Sequence, residues 1–150
     1  IFTGDTLGVM YGELCEGFAP FPVPSTSPVQ FEPDALKESI DRLMSLQPER
    51  FFLTHYGVVP ATTEFADTLK KQIDEYVAIA FKYKDSGNRI MLMMEELLAY
   101  TAGLLAAHGT PLSEQEQRRF IGGDLGLNAQ GLDVWLQRME RKEAAGSPAR

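Results

Sequence analysis

The fold of this chain is constrained first by two short apolar runs, both within its first 60 residues, that have the pattern of buried β-strands. They lie at residues 1–7 and 51–57, and each ends in a turn that contains glycine, which predicts a strand whose tip enters a loop. Each tip delivers one side chain that can bind a metal, Asp5 in the first run and His55 in the second. A carboxylate and a neutral imidazole suit Zn, Fe or Mn, although two donors alone do not complete a site.

The segment between the two runs predicts a long loop followed by a helix. Residues 8–33 are rich in glycine and proline, which prevents regular structure over most of the span. A loop of this length directly after Asp5 is either the border of a substrate pocket or a surface connection between strand and helix. Apolar side chains then recur at helical spacing over residues 36–46, so the order strand, helix, strand indicates an α/β layer.

The order of these motifs resembles the C-terminal half of a metallo-β-lactamase-fold hydrolase of the glyoxalase II-like kind. The match rests on two strand-end motifs, one loop and one helix: Phe2-Thr3-Gly4-Asp5-Thr6-Leu7, Ser27-Pro28, residues 36–46 and Leu53-Thr54-His55-Tyr56-Gly57. A looser likeness continues in the helical tail, at residues 127–132 and at Trp135-Leu136. The resemblance implies an α/β (α+β) fold, with residues 1–60 as the C-terminal portion of an αββα metallo-β-lactamase sandwich and residues 61–150 as an all-helical subdomain.

The same resemblance implies roles for three residues. Asp5 is expected to be catalytic as the bridge between two divalent metal ions, Zn first and Fe or Mn as alternatives, and His55 is expected to be a terminal ligand of one ion. The implied reaction is hydrolysis of an ester, thioester or related bond of a small-molecule substrate by metal-activated water. Tyr56 is a candidate substrate-binding residue, with packing as its plainer role.

The principal ligand motif of that family, His-x-His-x-Asp-His, does not occur in this sequence, which contains two histidines. The resemblance therefore implies a fragment of a longer hydrolase, without a complete metal centre and inactive alone. His108, next to Gly109, is expected at the end of a helix rather than at a metal.

Beyond Pro60 the pattern is helical. Thr62 or Thr63 is expected to cap a long helix that ends near residue 85, and residues 90–107 predict an apolar helix surrounded by other elements or placed at a dimer interface. Ser113 and Glu116 have the spacing of a capping box. The helix that they begin is expected to end near residue 121, before two glycines, and Asn128 is expected to cap the last helix.

Composition excludes several classes of partner. A net charge of −7 argues against nucleic acid and against an anionic membrane, because both bind positive surfaces. Glu95 and Glu96 interrupt the most apolar stretch, so it is not expected to span a bilayer. The single cysteine, Cys15, cannot form an internal disulfide, which favours a cytoplasmic location. Two strands alone expose their edges and one face, so we expect a homodimer.

Two other functions stay open. The first is an all-helical interaction or dimerisation module at residues 61–150, without metal chemistry. The second is an unrelated α/β protein, in which Asp5 caps a turn and His55 is an ordinary core residue. Metal that is bound by the longer protein and lost in Asp5→Ala would favour the hydrolase over the first alternative. Side chains of Asp5 and His55 that lie more than about 8 Å apart and face different ways would favour the second, since ions in dinuclear sites lie about 3.5 to 4 Å apart.

Overall fold

The computed structural model describes residues 1–14, 19–26, 31–55 and 57–146, and these residues are mostly helical. They contain four α-helices and a two-stranded antiparallel sheet. The order is α1 (Pro33–Ser45), β1 (Arg50–Leu53), β2 (Gly57–Pro60), α2 (Thr63–Tyr83), α3 (Arg89–His108) and α4 (Glu114–Gly146). This architecture is α+β, and the sandwich expected from the sequence is not seen in the described part of the chain.

β1 is the centre of the small sheet. It pairs antiparallel with β2, where Phe52 lies opposite Val58. On its other side β1 meets the N-terminal segment in parallel, through a bridge between Phe2 and Phe52. Phe52 N donates to Ile1 O at 2.8 Å, and Thr3 N donates to Phe52 O at 3.2 Å. The first predicted strand is therefore much shorter than expected, because the chain turns directly after Thr3, and β2 was not predicted at all.

The segment after this turn is largely irregular where it is described, as predicted. It contains a 3₁₀ turn at Gly12–Leu14 and a two-way hydrogen-bonded bridge between Val9 and Val23, with both N to O distances 2.9 Å. Gly8 makes this bridge possible. Its φ is +70°, and a Cβ there would lie 2.2 Å from Val23 O.

The starts of the helices follow the sequence signals. Thr62 caps α2, since its side-chain oxygen accepts a hydrogen bond from Phe65 N at 3.1 Å. The capping box before α4 is also confirmed: Ser113 N donates to Glu116 Oε2 at 2.9 Å, and Glu116 N donates to Ser113 Oγ at 3.4 Å. The predicted end near residue 121 is wrong, because α4 continues through both glycines as a single helix of 33 residues.

α3 packs through one face. Its buried side chains lie at helical spacing: Met93, Leu97, Leu98, Thr101 and Leu105. The expectation that it is surrounded on all sides is wrong, because Met91 is 57% exposed and residues 99, 103, 106 and 107 are also exposed. In the described residues α3 alone is long and apolar enough to cross a membrane, a test that core helices of soluble proteins also pass.

The first 60 residues and the helices that follow them share one hydrophobic core. Leu7 and Phe51 belong to the same buried cluster as Leu69 of α2 and Leu132 of α4, and each of the four is at most 1% exposed. The subdomain boundary near residue 60 stays a prediction, and apolar packing continues across it.

Candidate metal ligands and the adjoining cavity

Asp5 and His55 lie side by side although 50 positions separate them in the sequence. His55 Nε2 is 3.4 Å from Asp5 Oδ1, and the two side chains are 50% and 55% exposed. This distance is within the range of an ion pair between the Asp5 carboxylate and the imidazole of His55 if the imidazole is protonated. It matches the separation of about 3.3 to 3.4 Å between two ligand atoms that each lie about 2.0 to 2.1 Å from a tetrahedral zinc ion. The pair therefore has the spacing of two donors that share one ion.

The parallel bridge explains why these two side chains meet. Phe2 and Phe52 are bridge partners, and Asp5 and His55 each lie three residues further along the chain. The two segments run parallel at this bridge and each turns within a few residues after it, so both turns lie at the same end of the small sheet and bring Asp5 beside His55.

Tight turns then hold both residues at the surface. Asp5 lies between Gly4 and Gly8, which have φ values of +55° and +70°, and Gly8 N donates to Asp5 O at 3.0 Å. His55 lies in the connection between β1 and β2, which ends at Gly57 with φ +128°. Tyr56, the predicted substrate-binding residue, lies outside the described residues.

A cavity of about 390 Å³ opens beside the pair. Asp5 and His55 form one part of its lining, and the loop after Asp5 and helix α4 form the rest, including Val9, Tyr11, Pro24, Asp124 and Leu127. The expectation that the long loop borders a pocket thus agrees with the arrangement of its described residues. The volume of the cavity falls within the roughly 300 to 1,000 Å³ typical of small-molecule sites.

Asn128 of α4 fastens the loop to the helix. Its side-chain Nδ2 donates to Pro24 O at 2.8 Å, and its Oδ1 accepts from Thr26 N at 2.9 Å. The hydroxyl of Thr26 donates to Asn128 O at 2.8 Å. Both residues are buried, with exposures of 4% and 1%. The prediction that Asn128 caps a helix is wrong. It lies inside α4, and its side-chain amide accepts from and donates to the backbone of the loop at Thr26 and Pro24.

Beneath this contact lies a fully buried tyrosine. Tyr76 of α2 is 0% exposed, close to Thr101 and Asn128, and burial raises the pKa of its hydroxyl. The raised pKa keeps this hydroxyl neutral well above physiological pH.

A second polar contact joins the loop to α4 at the cavity itself. The hydroxyl of Tyr11 donates to Asp124 Oδ2, and both residues line the cavity. Sequence reasoning did not single out either residue. No local motif marks them, since they lie 113 positions apart and meet only because Asn128 and Gly131 allow the loop to lie on α4.

Asp5 and His55 have the donor types of a metal site but do not complete a ligand set. They offer one oxygen and one nitrogen donor at the right separation, but in the described residues no group of three or more His, Cys, Asp and Glu side chains could hold an ion. His108 ends α3 as predicted, with Nε2 2.6 Å from Ala19 O, and lines a different cavity. No family model matches the chain, and neither curated proteins nor solved structures give a match.

Proposed function

We propose that this chain is part of a metal-dependent hydrolase, in which Asp5 and His55 bind divalent ions at the edge of the cavity and the remaining ligands come from further polypeptide. The observation that carries the proposal is the 3.4 Å approach of His55 Nε2 to Asp5 Oδ1 beside a cavity of ligand size. The resemblance to metallo-β-lactamase-fold hydrolases selects the same two residues from motif order alone. Zinc is the expected metal, with iron or manganese as alternatives.

The exposed face of the small sheet supports the proposal that further polypeptide packs on it. Phe2, Phe52 and Val58 are neighbours across three adjacent segments and are 85%, 37% and 47% exposed. The rings of Phe2 and Phe52 stack with their centroids 5.0 Å apart. An apolar row of this kind normally packs on another element. In an αββα sandwich the second sheet would cover it.

The chain's own residues would contribute binding, orientation and exclusion of water. The carboxylate of Asp5 has two oxygens, so it suits a position between two ions, while neutral His55 suits a terminal position. Bound ions would lower the pKa of water and polarise the scissile carbonyl. Apolar side chains of Val9, Pro24 and Leu127 would hold the organic part of an ester or thioester substrate next to this pair.

Metal analysis of the full-length protein tests this function. We expect roughly two equivalents of zinc, iron or manganese in the wild type, as in dinuclear hydrolases. Asp5→Ala should lose metal because it removes the bridging oxygens, and His55→Ala should weaken binding of one ion. Asp85→Ala and His108→Ala are matched controls, since Asp85 is an exposed turn residue and His108 lines another cavity.

The same experiment separates the alternatives. Metal content that Asp5→Ala leaves unchanged would contradict the role of Asp5. A wild-type protein without bound metal, and without metal-stimulated hydrolysis of esters or thioesters, would favour the helical interaction module instead.

A further inference from the structure

We draw no further inference here: the strongest candidate, the exposed apolar face of α3 at Met91, Ala99 and Gly103, carries none because nothing in the part of the chain that the structure describes shows what covers it.

Discussion

Replacing Gly131 by alanine should destabilise the protein through a single contact. Gly131 lies inside α4, where a Cβ would meet Thr26 O at 1.8 Å and Thr26 Oγ1 at 2.8 Å. Real Cβ atoms essentially never approach within 3.0 Å, so the loop would have to move away by at least about 1.2 Å. The loop segment that moves is the one that Asn128 binds, which links the substitution to the lining of the cavity.

The size of the effect follows from the hydrogen bonds that this movement breaks. Thr26 N to Asn128 Oδ1, Thr26 Oγ1 to Asn128 O and Asn128 Nδ2 to Pro24 O are all between 2.8 and 2.9 Å. Each contributes about 1 kcal/mol, and more if a buried group is left without a partner. Alanine recovers about 1 kcal/mol of helix propensity relative to glycine. The free energy of unfolding should therefore fall by about 2 kcal/mol or more.

Gly123→Ala is the matched control on the same helix. Nothing lies within 4 Å of a Cβ built at Gly123, so this change should stabilise the protein by about 0.5 to 1 kcal/mol. Urea unfolding, followed by the fluorescence of buried Trp135 in α4, measures both variants. A Gly131→Ala variant as stable as Gly123→Ala would refute the close approach of the loop to α4.

Two further predictions concern the start of α4 and the outer face of the sheet. Ser113→Ala should lower the free energy of unfolding by about 1 kcal/mol at neutral pH. Hydrogen bonds from Ser113 hold the pKa of Glu116 below its ordinary 4.5, so the part of this stabilisation that comes from the bond between the Ser113 hydroxyl and the Glu116 carboxylate is present above that value and is lost as pH falls through the lowered pKa. The gap between thermal melts of wild type and Ser113→Ala should accordingly narrow in acid, leaving the contribution of the bond from Glu116 N to Ser113 Oγ, and a gap independent of pH would contradict this. For the 150-residue chain expressed without further polypeptide, whose described residues contain no second sheet over the apolar row, Phe52→Ser should abolish the expected homodimer in light-scattering measurements, whereas Leu46→Ser, 64% exposed and outside the sheet, should not. A monomeric wild type would contradict the interface.

The features that the sequence predicted well are those that depend on neighbouring residues. The caps at Thr62 and Ser113 are confirmed because a cap is satisfied within about one turn, by groups that the local sequence supplies. The end of α3 at His108 follows from Gly109, which adopts φ +93°. Each of these signals needs no knowledge of the rest of the fold.

The features that sequence reasoning missed depend on tertiary contacts. Gly122 and Gly123 indicated the end of a helix, yet α4 continues, because its buried residues on either side pack against the rest of the core and outweigh the weak local preference. Asn128 has the chemistry of a cap but finds its hydrogen bonds on the loop, about 100 positions away. β2 was missed because its four residues end in a proline and show no alternating pattern.

The candidate site combines both kinds of information. Asp5 and His55 could be selected from sequence because each follows a short apolar run, and the parallel bridge between Phe2 and Phe52 places the turns after both runs at the same end of the sheet. Tyr11 and Asp124 could not be selected in this way, since their contact exists only once the loop lies on α4. The contact that joins Tyr11 to Asp124 at the cavity thus depends on long-range packing, whereas the proposed metal ligands come from the strand ends.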